Sequence, residues 1–169
     1  MRVTVHSQAI IESGAVVADA LVSIVGTHSQ RAAVLAERFG GVLRLEFDDI
    51  PWPAPWRGGP HNELYVGPAE GQVMEAITFS RRFPGHLAIH CLQGKSRSAG
   101  IALAILAAYH QDAGRAIADL LDAAPRCHPN PGIVRHAEKL LGLDLEGPLS
   151  DASENYRWWR GQWRAEGWR

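Results

Sequence analysis

The chain has 169 residues, 46% of them apolar, enough for one domain with its own core and no need of disulfides. Its 17 basic and 18 acidic side chains nearly cancel and no apolar run approaches membrane-spanning length, so neither nucleic acid nor a transmembrane segment is expected. The two cysteines, Cys91 and Cys127, sit in unlike contexts, which implies a reduced, cytoplasmic setting rather than a structural disulfide.

Residues 1–5 and 9–11 read as a short extended entry, without the basic flank and apolar stretch of a targeting signal. Ala20-Leu21-Val22-Ser23-Ile24-Val25 is a β-rich apolar run closed by Gly26, a first inner strand. Ser29 can cap a helix running to Phe39, with Gly40-Gly41 as its stop. Residues 42–47 alternate loosely and read as the next strand, which ends in Asp48-Asp49. The prolines at 51, 53, 55 and 60 then impose a stiff, irregular loop. Its Trp52 and Trp56 either wall a nearby pocket or pin the loop to the body. Apolar residues at Val73, Met74, Ile77 and Phe83 fit an amphipathic helix over 72–83, ended by Pro84-Gly85.

The next stretch organises the chain. His86-Leu87-Ala88-Ile89-His90-Cys91 reads as a buried strand ending at a thiol. After Leu92-Gln93-Gly94-Lys95-Ser96 come Arg97 and Ser98, and residues 99–109 are almost entirely Ala, Ile and Leu, a buried helix. A loop turning into a helix aims backbone N–H groups at one point and adds the positive end of the helix dipole, which suits phosphate. Arg97 adds a planar fork that holds two phosphate oxygens at once. The same field favours the thiolate form of Cys91, the nucleophilic form. A nucleophile beneath an oxyanion cradle is the minimum for covalent phosphoryl transfer. Alone, Cys91 would read as a core thiol; Gly94 and Arg97 at these offsets between strand and helix argue otherwise.

Gly114 marks a break before a helix over 115–124, stopped by Pro125. Adjacent Cys127 and His128 have no second ligand pair at a suitable spacing, so no metal is expected, and no cofactor. Pro129-Asn130 precedes a helix over 133–141, where Asn130 can serve the N-cap region. The tail from Tyr156 to Arg169 mixes Trp with Arg, and Tyr156, Trp159 and Trp163 would share a face if helical. That mixture suits a membrane interface or an anionic polymer, or aromatics folded back on the domain or on a neighbouring subunit. Gly161 and Gly167 weaken a free helix there.

His90-Cys91-x5-Arg97-Ser98 resembles the signature loop of the cysteine-dependent protein tyrosine phosphatases, in their compact dual-specificity branch. The resemblance spans residues 20–141. It implies Cys91 as nucleophile, the amides of Leu92, Gln93, Gly94, Lys95, Ser96 and Arg97 as the phosphate cradle, and Arg97 as the clamp. Ser98 matches the hydroxyl that steadies the departing thiolate, and His90 matches a residue that holds the loop. In that family the general acid follows a strand of apolar-x-apolar-x-Asp form, which favours Asp49, with Asp48 as the alternative. The Pro/Trp loop makes the spacing from acid to cysteine longer than in the small phosphatases. Pro129-Asn130 resembles the segment whose Asn supports the active-site loop. Lys95 matches a position held by Lys in the superfamily's phosphoinositide phosphatases.

The expected fold is α/β: a central, mainly parallel sheet flanked by helices in three layers, with Cys91 at the C-terminal end of a middle strand. Residues 1–149 form the catalytic domain and 150–169 a Trp/Arg-rich tail. The expected function is hydrolysis of phosphate monoesters, on phosphoprotein or a small phosphoester, through a cysteinyl phosphate. The alternatives are a phosphoinositide or inositol phosphate phosphatase, a rhodanese-like sulfur transferase or arsenate reductase, and a catalytically weak phosphate-binding module.

Overall fold

The computed structural model of the chain describes residues 1–28, 36–51, 56–58 and 63–167. Four parallel strands form the sheet in the order β1-β6-β2-β3: β1 (Arg2–Ser7), β6 (His86–Cys91), β2 (Ala20–Val25) and β3 (Gly41–Glu46). The fold is α/β, as expected. All six residues of β2 are buried, because helices cover both faces of an inner parallel strand, and this explains its apolar run, interrupted only by Ser23. Side-chain alternation then sorts the core. Ala20, Val22, Ile24, Leu87 and Ile89 meet the main helical layer, whereas Leu21 and Ala88 meet Ile11 and Phe39 on the other face.

Helix α3 (Arg97–His110) is buried from Arg97 to Ala107, which is why it is apolar on every side. It packs against β6 and against α2 (Glu70–Ser80), α4 (Ala113–Ala123) and α5 (Pro131–Leu141). A Cβ on Gly100 would stand 3.0 Å from Ile133, so this glycine sets how closely α3 and α5 approach. Asp112 caps α4 by accepting the Arg115 N–H at 2.8 Å, which starts that helix ahead of Gly114 rather than after it. Helix α2 ends at Ser80 instead of Phe83, its last turn tightened by N–H groups of Arg82 and Phe83 donating to Phe79 and Ser80 carbonyls.

Two further expectations change. Residues 9–11 are helical, not extended, within α1 (Gln8–Glu12), which buries Ile11. The Pro/Trp region contains a strand, β4 (Trp56–Gly58), paired antiparallel with β5 (Glu63–Tyr65) and separate from the main sheet. The tail forms α7 (Glu154–Ala165), preceded by α6 (Glu146–Ala152), which spans position 149. Of the helix expected over 29–39, residues 29–35 lie outside the described residues and Ala36–Arg38 form a 3-10 turn. Trp52 and the ring of Trp56 also lie outside the described residues, with the reading placed on them. Among the described residues, no helix is long and apolar enough to cross a membrane.

Candidate active site

Strand β6 delivers Cys91 to the C-terminal edge of the sheet, between β1 and β2, with the side chain only 2% exposed. The chain then turns through Leu92–Ser96 into α3. Gly94 makes the turn at φ +73°, a conformation that L side chains rarely adopt. A Cβ there would stand 2.6 Å from the carbonyl carbon of His6. Gly94→Ala is expected to cost about 1–3 kcal/mol and to weaken phosphate binding, read by thermal melting and calorimetry.

The loop carbonyls are engaged from outside. That of Leu92 accepts from Gln8 N–H at 3.2 Å, that of Lys95 from His128 N–H at 2.9 Å, and that of Ser96 from Gly100 and Asn130 N–H groups. Gly94 N–H donates to Cys91 Sγ at 3.3 Å, and Ser98 Oγ lies 3.1 Å from the same sulfur. Both groups can donate to this one buried sulfur. Arg97 Nη1 donates to the Phe47 carbonyl at 3.0 Å, which fixes the guanidinium. Its buried Nε–H has no partner among the described residues, as in a donor that a bound anion would satisfy.

The two aspartates part company here. Asp48 is buried and accepts from Thr27 N–H (3.0 Å), Thr27 Oγ1 (2.5 Å) and Val66 N–H (2.8 Å), so it ties the end of β2 to the segment after β5. Asp49 is exposed and lines a cleft of about 330 Å³ together with Cys91, Lys95 and Arg97. Its Oδ1 accepts from Ser96 Oγ at 2.6 Å and from Asn130 Nδ2 at 3.0 Å. Asn130 also donates to the Ile50 carbonyl at 3.2 Å, while its Oδ1 caps α5 through the N–H groups of Gly132 and Ile133. One side chain thus starts a helix and holds a carboxylate over the loop. A second cleft of about 300 Å³, beside Met1, Ile77 and Tyr109, is lined by no thiol or carboxylate.

His90 is fully buried and bonds Ser23 Oγ on β2 at 2.8 Å through Nε2. Burial lowers the pKa of both His90 and His128 below the ordinary 6.5, and the Nδ1 of each is buried without a partner among the described residues. The unfolded chain therefore takes up protons that the folded chain resists, so stability is full above about pH 6.5 and is expected to fall toward pH 5. Thermal melting across that range checks it, with a shallower slope in His90→Gln. Cys127 behaves unlike a nucleophile: burial pushes its thiol up to about 11. At neutral pH it is expected to escape iodoacetamide in the folded protein and to react once urea unfolds the chain.

Three cleft residues were not anticipated as such: His128, Trp159 and Trp163. Trp159 and Trp163 sit one turn apart on α7, the shared face visible in the sequence, but the surface they meet depends on how α7 docks. Asn155 Nδ2 donates to the carbonyls of Arg126 (2.8 Å) and Cys127 (2.9 Å), and the next residue, Tyr156, is fully buried. Among the described residues no cluster of His, Cys, Asp and Glu could hold a metal ion.

No family model and no curated protein matches the sequence. Solved structures do match. A human tyrosine phosphatase-like serine/threonine/tyrosine-interacting protein superposes with a TM-score of 0.63 at 15% identity, over 83% of this chain and 91% of that one. Human DUSP28 gives 0.57 at 17% identity, over 83% and 91%. PTPMT1 in complex with PI(5)P gives 0.58 at 12% identity, over 83% and 90%. The chain has the fold of the cysteine-dependent protein tyrosine phosphatase superfamily, in its dual-specificity-like form.

Proposed function

We propose that this protein hydrolyses phosphate monoesters in two steps through a phosphorylated Cys91. The reading rests on one observation: the Cys91 sulfur, with Gly94 N–H and Ser98 Oγ directed at it, shares a cleft with Arg97 and Asp49. In the first step Cys91 Sγ attacks phosphorus and the P–O bond to the leaving group breaks as Asp49 protonates the departing oxygen. The loop amides from Leu92 to Arg97 and the Arg97 guanidinium hold the equatorial oxygens, where charge is concentrated in the transition state. In the second step Asp49, now a carboxylate, takes a proton from water. That water attacks phosphorus, the S–P bond breaks, and Ser98 Oγ donates to the sulfur that leaves. His90 acts from behind, through its bond to Ser23 and its place beside Cys91 in β6.

Residues 1–149 are read as the catalytic domain and 150–169 as a tail whose Trp159 and Trp163 line one side of the cleft. A phosphoinositide headgroup is the second reading of the substrate, favoured by the exposed Lys95 at the cleft and by a structural neighbour solved with PI(5)P. Rapid quenching with an aryl phosphate, followed by peptide mass spectrometry, tests the reaction. A phosphoryl group on Cys91 is expected. A persulfide on Cys91 after thiosulfate, with no phosphate released from any ester, would replace this reading with sulfur transfer.

A further inference from the structure

We propose that the free edge of β1 is a docking site for an extended, lysine- or arginine-bearing segment of another protein, which adds to the sheet as a further strand. The residues involved lie outside the cleft, and the proposal does not depend on the phosphatase reading. Strand β1 is an outer strand, bonded to β6 on one side. Arg2 N–H donates to the Gly85 carbonyl at 2.9 Å, so the even-numbered residues of β1 turn their backbone groups toward β6. Alternation then points the N–H and C=O groups of Val3 and Val5 outward. Among the described residues no strand pairs with that side. The edge is open: Arg2 is exposed and Thr4 to Ser7 are partly exposed, whereas every residue of β2 is buried. An open row of backbone donors and acceptors is a template for one more strand.

The chemistry beside the edge says what that strand carries. A groove of about 380 Å³ lies between the start of β1 and α4, with Leu106 and Ala123 as its apolar part and Asp119 and Asp122 as its acidic part. Val3 packs into the main core with residues of α3 and α4, so one face of β1 looks toward those helices. An added strand likewise turns every second side chain to that face, where a lysine or arginine meets the two carboxylates. Asp122 has no partner among the described residues, and Asp119 is bonded through Oδ2 to His110 at 2.7 Å. The intervening side chains fall on the face of Arg2, where neutral residues avoid its charge. Main-chain bonds supply the affinity of such a pairing and the side chains its selectivity. A second copy of this chain fits worse. In an antiparallel β1–β1 pairing about a twofold axis, both α4 helices lie on one face and their carboxylates approach each other.

The probe is a capped hexapeptide of alternating valine and lysine, with a valine–glutamate counterpart as control, added to the full-length chain at low salt. Calorimetry is expected to show the lysine peptide binding about tenfold more tightly than the glutamate peptide. Asp122→Lys should abolish or invert that preference. Asp122 is exposed, so the melting temperature should stay in place. Amide exchange followed by NMR locates the peptide. The Val3 and Val5 amides are expected to exchange about tenfold more slowly once the lysine peptide is bound, while those of Arg2, Thr4 and His6, already turned to β6, hardly change. Binding that protects neither valine amide overturns the proposal, as does equal affinity for the two peptides. A tenfold preference untouched by Asp122→Lys also overturns it. So does the absence of any binding at millimolar lysine peptide. Valine amides already slow in the free chain would overturn it too, and a dimer in sedimentation would then name a second copy as what covers the edge.

Discussion

Cys91→Ser is expected to lower kcat on an aryl phosphate by about 10⁴-fold or more, with inorganic phosphate still bound at close to wild-type affinity. The two halves of this result have separate causes. A serine hydroxyl is not ionised at neutral pH, and no described side chain beside it is a base: Ser98 Oγ and Gly94 N–H, the groups that meet the sulfur, stabilise an anion rather than remove a proton. The sulfur takes one bond from the cradle, from Gly94 N–H, but the loop's shape is set elsewhere. It is held by Gly94 at positive φ and by loop carbonyls bonded to Gln8, His128, Asn130 and Gly100. Arg97→Lys should act differently, costing about 10²–10³-fold in kcat, because an ammonium cannot both bond the Phe47 carbonyl and grip two phosphate oxygens. Steady-state kinetics with calorimetry on the same preparations separates the two. A Cys91→Ser protein that keeps its rate would remove the phosphoenzyme from the mechanism.

What the sequence disclosed depended on how local each feature is. The loop from Cys91 to Ser98 is contiguous, so thiol, turn and guanidinium could be read directly and the structure brings them to one cleft. Strands β2 and β6 and helix α3 were equally legible, because burial on both faces or all sides leaves predominantly apolar runs. Helix α1 was not, since five residues with one buried side chain carry no period to detect. Strand β4 was hidden among prolines that forbid a central strand but allow an isolated two-stranded pair. The aromatic side of the cleft was half visible: the face shared by Tyr156, Trp159 and Trp163 follows from helical spacing, whereas its docking depends on Asn155 reaching carbonyls 28 and 29 positions earlier. The choice between Asp48 and Asp49 was the hardest to read, because neighbouring residues at a strand end point to opposite sides and only remote partners tell them apart.

Those partners set the expected outcome of exchanging each aspartate for its amide. Asp49→Asn should lower kcat by about 10²–10³-fold on an alkyl phosphate and far less on an ester whose leaving group needs no proton. Ser96 Oγ and Asn130 Nδ2 both donate to Oδ1, so Oδ2 is the oxygen left to carry the proton for the leaving group. Asparagine can still accept both bonds through its own oxygen, which keeps the loop in place and confines the defect to proton transfer. The sign of the pH effect follows. A general acid works only while protonated, so wild-type activity declines as rising pH ionises it; an amide has nothing to ionise, and the basic limb of the profile should disappear. Asp48→Asn should do the reverse. Each of its oxygens already faces a donor, from Thr27 or Val66, so an NH₂ group in either position meets an N–H or O–H head-on. Destabilisation of about 1–3 kcal/mol is expected, with the shape of the pH profile kept. If Asp48→Asn instead flattened the basic limb while Asp49→Asn retained it, the proton donor would be the buried carboxylate, and the loop after β3 would have to open during turnover to bring it to the leaving oxygen.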